Sequence, residues 1–243
     1  MYPERVNIRL VTLLILLAGV LGALIYKKNP VLNRVSPDLE AANLTLSESL
    51  EEKGMLVGDE VYLRVFKKER VMEVWMQRQE AQQYELLKVY PIAAMSGKLG
   101  PKLREGDYQA PEGFYQIYKS SLNPYSSYHL SFNIGYPNQY DRAHGRTGSY
   151  IMVHGGAASA GCYAMTDPGV EEIYLLVSSA LEAGQRQVHF HSFPYRFSEP
   201  PSGIGRWNEF WQELYPAYTW FEQYRTVPPV RVRGRQYVIE KQD

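Results

Sequence analysis

Short runs rich in β-branched and aromatic residues, separated by Gly- and Pro-rich loops, constrain the fold of this 243-residue chain more than any other feature. Apolar residues that alternate with polar ones predict strands with one buried face, and Gly, Pro, Asn and Asp between them predict turns. Such runs occupy residues 61–66, 71–76, 84–92, 114–118, 128–134, 150–153, 187–193 and 230–239. The pattern predicts a mainly β fold with flanking helices, in the α+β class.

Two long polar loops, over residues 94–113 and 135–148, interrupt this pattern. Loops of this length in a compact domain are more often functional than simple connections. A helix is predicted to begin at Asp167 and to end at Gly184, and a capping-box pattern predicts a short helix over Ser47–Lys53. A further apolar set recurs at helical spacing and is interpreted as a packed helix face rather than a ligand-binding box: Trp207, Phe210, Trp211, Leu214, Tyr215 and Tyr218.

An uncharged apolar run, Leu10–Tyr26, lies near the N-terminus between basic flanks. Its 17 residues are at the lower limit for a membrane-spanning helix and slightly long for the core of a signal peptide. The run contains no cysteine, which excludes a lipoprotein signal. A buried core helix is the alternative, and the basic residues on both flanks weigh against it. We therefore expect an exported, periplasmic protein, with residues 10–26 either cleaved or, as is favoured over cleavage, retained as an anchor in the inner membrane.

The chain contains one cysteine, Cys162, and His154 precedes it by eight residues. A thiol and an imidazole are the minimal groups for thiolate chemistry, because the imidazole can take the thiol proton and later return one to a leaving group. A buried structural cysteine beside a core histidine is the alternative. Export weighs against that alternative, because exported proteins usually pair their cysteines in disulfides and a single cysteine cannot form one internally.

Several segments resemble the YkuD-type L,D-transpeptidases: Ser96-Gly97-Lys98, the stretch over residues 106–115, Val153-His154-Gly155 and Ser159-Ala160-Gly161-Cys162. The resemblance covers about residues 60–193, and residues 131–138, 145–150 and 161–167 are similar to its YafK-like branch. It implies a YkuD-like β-sandwich or barrel. Together with the apolar run and the helical patterns described above, it gives a division into a signal peptide or anchor (1–28), a linker with a short helix (29–59), a catalytic domain (60–194) and a helical C-terminal extension with final short strands (195–243).

Two positions depart from the pattern of the wider family. Its commonest nucleophile segment reads Ser-His-Gly-Cys followed by a hydrophobic residue and Arg, whereas Ala160 and Ala164 stand at the His and Arg positions here. The segment between His154 and Cys162 is also shorter than usual. The resemblance thus implies thiolate acyl transfer, while an arginine that would hold a substrate carboxylate must come from elsewhere or be absent.

The roles that follow assign Cys162 as nucleophile and His154 as base and then acid. Backbone N–H groups at the nucleophile, including those of Gly161 and Ala160, with Gly155 beside the histidine, are candidates for stabilising the oxyanion. A backbone carbonyl after His154 is expected to orient the imidazole. The substrate-binding candidates lie mainly in the second polar loop, where arginine could bind free carboxylates: Arg142, Arg146, Asn133, Asn138 and, as a pocket wall, Tyr163.

The resemblance implies that peptidoglycan stem peptides are the acyl donors, with attack at a carbonyl of diaminopimelate. An amine acceptor would give transpeptidation, and water would give an amidase that releases a covalently attached protein such as a lipoprotein. A non-catalytic wall-binding module is the less favoured alternative, and a metal site at His189 and His191 is disfavoured because no Asp, Glu or Cys lies near them in sequence. No cofactor or metal is expected, and the formal net charge of +0 gives no indication of nucleic-acid binding.

Overall fold

The structure is a computed structural model that describes residues 46–78 and 80–240. The apolar run predicted as a signal or anchor lies outside the described residues, as does the first part of the predicted linker. No helix within the described ranges is both long enough and apolar enough to cross a membrane. A helical segment over residues 46–52 opens the described part of the chain, in agreement with the predicted short helix.

The described residues form eleven strands and, besides that first segment, three α-helices. The strands are β1 (Glu60–Phe66), β2 (Val71–Gln77), β3 (Glu85–Pro91), β4 (Gly113–Ile117), β5 (Leu122–Ser126), β6 (His129–Asn133), β7 (Met152–His154), β8 (Tyr163–Ala164), β9 (Val188–Phe193), β10 (Val230–Arg233) and β11 (Gln236–Ile239). The helices are α1 (Gln139–Ala143), α2 (Asp167–Ala183) and α3 (Asn208–Tyr224). The predicted mainly β fold with flanking helices is therefore confirmed.

A five-stranded mixed sheet in the order β3-β2-β1-β9-β4 forms the centre of the fold. Strands β1 and β9 pair in parallel, and the other neighbours pair antiparallel. Every residue of β1 after Glu60 is buried, which requires cover on both faces of the sheet. Helix α3 provides cover through a cluster in which its Phe210 and Leu214 pack with Phe66 and Phe193 of the sheet.

The aromatic stripe predicted as a packed helix face is confirmed, because Phe210, Leu214 and Tyr218 are buried along α3. Helix α2 begins where Pro168 favours a helix start and ends at Gly184, whose left-handed backbone closes the last turn. This helix contacts β1 and β9 of the large sheet and also β6 and β7. It therefore links the central sheet to the strands that carry the histidine.

A second sheet in the order β5-β6-β7-β8 carries the Cys–His segment. Strands β7 and β8 are parallel, with Val153 opposite Tyr163 and His154 opposite Ala164. On the far side of β8 the backbone of Ala94 pairs with Ala164, so the first polar loop starts against this strand. Strands β5 and β8 and helix α1 were not predicted. Helix α1 lies within the segment predicted as a second polar loop.

A buried ion pair fixes the first polar loop to the central sheet. Lys67 Nζ lies 2.9 Å from Glu112 Oε1, and both side chains are almost fully buried. The same ammonium donates to the carbonyls of Lys98, Gly100 and Ala110, and Glu112 accepts from the N–H of Gly100. Because a buried charge is costly without such partners, these contacts hold the loop in one conformation.

Candidate active site

The parallel pairing of β7 and β8 brings Cys162, the residue immediately before β8, to the strand that carries His154. His154 is opposite Ala164, and Cys162 is two residues before Ala164. The Sγ of Cys162 lies 3.4 Å from the backbone nitrogen of Met152, two residues before His154 in β7. Ideal strand geometry, with strands roughly 4.8 Å apart and a rise of roughly 3.3 Å per residue, predicts about 8 Å between the Cα atoms of His154 and Cys162. That separation lets the two side chains approach each other.

The thiol of Cys162 is half-buried and lies between a hydrogen-bond donor and an acceptor. Its Sγ accepts from the N–H of Met152 at 3.4 Å and donates to the carbonyl of Tyr150 at 3.7 Å. Burial raises the pKa of the thiol, and the Met152 N–H and the nearby charge of Lys102 oppose that rise. The resting group is therefore the neutral thiol, which needs a base to become a nucleophile.

His154 is buried, and its Nδ1 lies 2.6 Å from the carbonyl oxygen of Gly155. A carbonyl only accepts, so this contact puts the proton on Nδ1 and leaves Nε2 free to act as a base. The backbone carbonyl expected to orient the imidazole is thus found at Gly155. The ring of Tyr128 packs on the imidazole with 4.9 Å between centroids. No hydrogen bond joins the imidazole to Cys162 among the described residues, as is common before substrate binds.

Gly155 occupies a position that no larger residue could fill. A Cβ there would clash with the carboxylate of Asp167 and lie 2.8 Å from the carbonyl of Tyr128. Its N–H donates to the carbonyls of Tyr128 and Leu130, while the N–H of Gly156 donates to Asp167 Oδ1. The Gly155 N–H is therefore committed to the turn that follows His154, and this contact argues against its use for an oxyanion.

The nucleophile is preceded by a turn that Ser159 closes. Ser159 Oγ donates to the carbonyl of Cys162 at 2.7 Å and accepts from the N–H of Gly161 at 3.3 Å. Gly161 has a φ of +112°, and a Cβ there would approach the carbonyl of Gln109 to 3.3 Å. Ala160 is exposed. The N–H of Gly161 is therefore engaged by Ser159 within this turn, and use of the Ala160 N–H for the oxyanion stays a prediction.

Arg146, a predicted carboxylate-binding residue, is buried in an internal ion pair. Its Nη1 lies 2.8 Å from Oδ1 of Asp141, a fully buried carboxylate. Its guanidinium also packs over the rings of Tyr140 and Phe210 at 5.1 and 4.9 Å. These contacts occupy the cation within the core. Arg142 is exposed, and its guanidinium donates to the carbonyl of Pro137.

Asn138 and Tyr163 also have internal partners. Asn138 caps helix α1, and its amide donates to the carbonyl of Phe114 at 2.9 Å and to the hydroxyl of Tyr237 at 2.8 Å. Tyr163 is fully buried, and its hydroxyl donates to the carbonyl of Pro111 at 2.7 Å. A fully buried ring cannot wall an open pocket, so its contacts are those of a core residue.

Asn133 shares the face of the sheet that carries His154, because it is opposite Met152 in the β6–β7 pair. Its side-chain oxygen accepts from the N–H of Gly135 at 2.8 Å, which leaves the amide group available. Of the polar candidates in and beside the second loop, the structure thus brings Asn133 to the face of the sheet that carries His154. Substrate binding by these residues stays a prediction.

Sequence reasoning missed Lys102, a buried cation in the first polar loop. Its Nζ forms an ion pair with Asp107 and donates to the carbonyl of Arg104 at 3.0 Å. The carboxylate of Asp107 also accepts from the N–H of Gln109, the residue whose backbone lies against Gly161. Nothing in the sequence distinguishes Lys102 from the solvated lysines, because its burial depends on how the loop folds over β8.

His189 and His191, weighed as a metal pair, belong to the central sheet. His191 is fully buried and its Nδ1 lies 2.7 Å from the hydroxyl of Tyr62. Burial lowers the pKa of His189 to about 4 and that of His191 well below its usual range. Within the described residues no group of three or more His, Cys, Asp and Glu side chains could hold a metal ion.

A protein-family model and individual relatives both match this chain. The sequence model of the YkuD family, described as an L,D-transpeptidase catalytic domain, matches residues 60–225. Over 206 residues the chain is 42% identical to a protein of Escherichia coli strain K12 provisionally named L,D-transpeptidase YafK, covering 84% of this chain and 83% of that protein. The same values hold for YafK of Escherichia coli O157:H7.

Two solved structures are more distant. The helical cell shape determining protein Pgp2 from Campylobacter jejuni is 19% identical with a TM-score of 0.44, and the match covers 73% of this chain and 64% of that one. Bd1075 from Bdellovibrio bacteriovorus is 22% identical with a TM-score of 0.39, over 56% of this chain and 49% of the other. The chain therefore spans less than two thirds of either structure.

Proposed function

The chain belongs to the YkuD family of L,D-transpeptidase catalytic domains, and on that premise we propose that it is a cell-wall enzyme that performs acyl transfer at peptidoglycan stem peptides. The observation that supports this proposal is the Cys–His geometry. Cys162 immediately precedes β8, the parallel neighbour of the strand that carries His154, and its Sγ accepts from the N–H of Met152 in that strand. The carbonyl of Gly155 holds the imidazole in the tautomer that a base requires.

In the first half-reaction, Nε2 of His154 takes the thiol proton of Cys162. The thiolate then attacks an amide carbonyl at diaminopimelate and forms a tetrahedral oxyanion, which backbone N–H groups beside Cys162 stabilise. Losing one such donor typically costs roughly 10²–10³ in rate. Collapse of the intermediate breaks the C–N bond, the imidazolium gives its proton to the leaving amine, and a thioester to Cys162 remains.

In the second half-reaction, His154 takes a proton from the acceptor as the acceptor attacks the thioester. An amine acceptor restores an amide, which is transpeptidation, and water releases a carboxylate, which is hydrolysis. Either acceptor regenerates the thiol when the imidazolium returns its proton to the sulfur. The same two side chains therefore support both outcomes.

An amidase that hydrolyses the bond between diaminopimelate and an attached protein is the second candidate. The observation that favours it is the short connection between His154 and Cys162. The start of this connection is held against Thr166 and Asp167 through Gly156. The thiol is half-exposed, which makes it accessible to water as an acceptor.

The experiment that tests this function incubates the purified protein with peptidoglycan sacculi that carry a covalently linked lipoprotein, followed by mass spectrometry of the products. New crosslinks indicate transpeptidation, and released lipoprotein or free stem peptides indicate hydrolysis. Cys162→Ala and His154→Ala are the matched controls and should give neither product. A wall-binding module would bind sacculi equally well as the Cys162→Ala variant and change nothing.

The proposed location is the periplasm, with the apolar run over residues 10–26 as an export signal or inner-membrane anchor. Fractionation of cells that produce the full chain tests this location. Recovery of the protein with the membrane after osmotic release supports the anchor, whereas recovery with the periplasmic fluid supports cleavage. Recovery with the cytoplasm contradicts export.

A further inference from the structure

Strained backbone conformations concentrate around the Cys–His pair. Among the described residues, six that are not glycine have a positive φ: Arg70, Tyr108, His129, Tyr150, Thr166 and Arg225. Four of these adjoin the site. The carbonyl of Tyr150 contacts the thiol, and the N–H of Thr166 donates to the carbonyl of Gly156. His129 follows Tyr128, whose ring covers the imidazole, and Tyr108 precedes Gln109, which lies against Gly161.

Two of the four are large aromatic residues that face solvent. Tyr108 has a φ of +53° and is 65% exposed, and Tyr150 has a φ of +52° and is 76% exposed. A bulky side chain in the left-handed region is a genuine outlier, for which Gly or Asn would serve at less cost. Exposed rings add little to the core. The strained backbone at Tyr108 and Tyr150 is not offset by packing of their rings, which indicates that these residues have a role other than stabilising the fold.

The two loops that carry these tyrosines contact each other, and the second of them reaches the thiol through the carbonyl of Tyr150. The N–H of Thr147 donates to the carbonyl of Leu103 at 3.1 Å, and Thr147 Oγ1 accepts from the N–H of Glu105 at 3.2 Å. Gly148 lies against the aliphatic stem of Lys102, where a Cβ would approach Cε to 2.9 Å. The segment before β7 and the first polar loop are therefore braced against each other.

We propose that Tyr108 and Tyr150 are specificity-determining residues that bind the extended stem-peptide chain beside Cys162. This proposal rests on the proposed function. The ring faces can cover the aliphatic parts of the peptide, and the hydroxyls, which have no hydrogen-bond partner among the described residues, can donate to its carboxylates. The second polar loop contributes less than predicted to carboxylate binding, since the guanidinium of Arg146 is already paired.

The test separates binding from folding by using glycine, which removes the ring and also relieves the positive φ. We expect Tyr108→Gly and Tyr150→Gly each to raise KM for a soluble synthetic stem peptide containing diaminopimelate about ten-fold, the scale of a lost aromatic contact. The melting temperature should stay equal or rise by up to about 2–4 °C, because strain is released. If the ring stabilises the fold, the glycine variant should instead have a lower melting temperature than the parent.

Two further variants act as controls. Arg70→Gly relieves a similar positive φ in the β1–β2 turn, outside the site, and should match the change in melting temperature with KM unchanged. Tyr150→Phe keeps the ring and the strain and removes the hydroxyl, so it should retain the parent melting temperature with a smaller rise in KM.

Direct binding to the Cys162→Ala protein, measured by calorimetry with the same peptide, distinguishes this proposal from the proposed function. If the peptide binds the Cys162→Ala protein, and if adding Tyr108→Gly or Tyr150→Gly to that protein leaves the Kd unchanged, the tyrosine proposal is overturned while the proposed function stands. A parent protein that neither binds nor converts the peptide overturns both. A rise in Kd of about ten-fold with no fall in melting temperature supports the tyrosine proposal.

Discussion

Replacing Arg146 by methionine separates a structural arginine from a substrate-binding one. The guanidinium neutralises Asp141, whose side chain has 0% relative exposure. Removing one partner of a buried ion pair leaves an uncompensated charge and costs roughly 3–5 kcal/mol of unfolding free energy. Methionine retains much of the apolar contact with Tyr140 and Phe210, so most of the loss comes from the charge. We therefore expect Arg146→Met to lose about 3–5 kcal/mol at neutral pH.

The loss should depend on pH with a defined sign. Burial raises the pKa of Asp141, and the hydrogen bond and charge of Arg146 oppose that rise. Without Arg146 the pKa in the folded state rises further above its unfolded value. A raised folded pKa gives stability that is present below the unfolded pKa and lost as pH rises through the folded pKa. The deficit of Arg146→Met should thus be largest at neutral pH and should shrink as pH falls towards the ordinary range of aspartate.

The assay is urea unfolding followed by tryptophan fluorescence at several pH values. Arg142→Met is the matched control from the same loop, and because Arg142 is exposed we expect a change within about 0.5 kcal/mol. The double variant Asp141→Asn with Arg146→Met removes both charges and should recover a substantial part of the loss. An Arg146→Met protein with parent stability and a raised KM for stem peptide would refute the structural reasoning and restore the binding role.

Three other outcomes follow from the site. Cys162→Ala and His154→Ala should each abolish product formation from sacculi while the melting temperature stays near that of the parent; full turnover by folded Cys162→Ala would end the nucleophile assignment. Lys102→Met should raise the pKa of the Cys162 thiol further, because burial already raises this pKa and the charge of Lys102 opposes the rise. The pH dependence of alkylation by iodoacetamide measures the thiol pKa, and an unchanged profile would contradict the electrostatic role of Lys102. Gly155→Ala should lower kcat at least ten-fold, because the added methyl group clashes with the Asp167 carboxylate and displaces the turn that holds the imidazole. Steady-state kinetics with stem peptide measure this effect, and an unchanged kcat would contradict it.

Local periodicity was sufficient to predict most of the secondary structure. The β1–β2 hairpin, β9 and α2 follow from alternating or helical apolar spacing and from the turn residues beside them. Strand β8 was not predicted because its two residues are too few to show a period, and it exists through pairing with β7 and Ala94. Helix α1 was missed for a related reason, since its five residues sit among polar neighbours and only the Asn138 cap marks its start.

Site residues that stand out by their chemistry could be predicted from the sequence. Roles that depend on whether a polar side chain is buried and already paired could not. Cys162 and His154 were singled out because thiol and imidazole are rare and reactive. Arg146 and Asn138 were chosen because they are polar and lie in a long loop, yet the fold uses both internally. A single sequence does not reveal which polar groups are already paired. Lys102 shows the converse, because a lysine placed near the thiol by tertiary folding carries no local signal.

The parallel strands β7 and β8 are joined by only eight residues, from Gly155 to Cys162, without the helix that usually makes such a crossover. Besides pairing with each other, each strand has a second neighbour, which is β6 for β7 and the backbone of Ala94 for β8. The backbone hydrogen bonds of the sheet, rather than the connecting segment, therefore hold β7 and β8 side by side. A chain opened at the exposed Ala157–Ala158 bond should keep these strands paired, so that two separate fragments have the proposed activity only when they are combined.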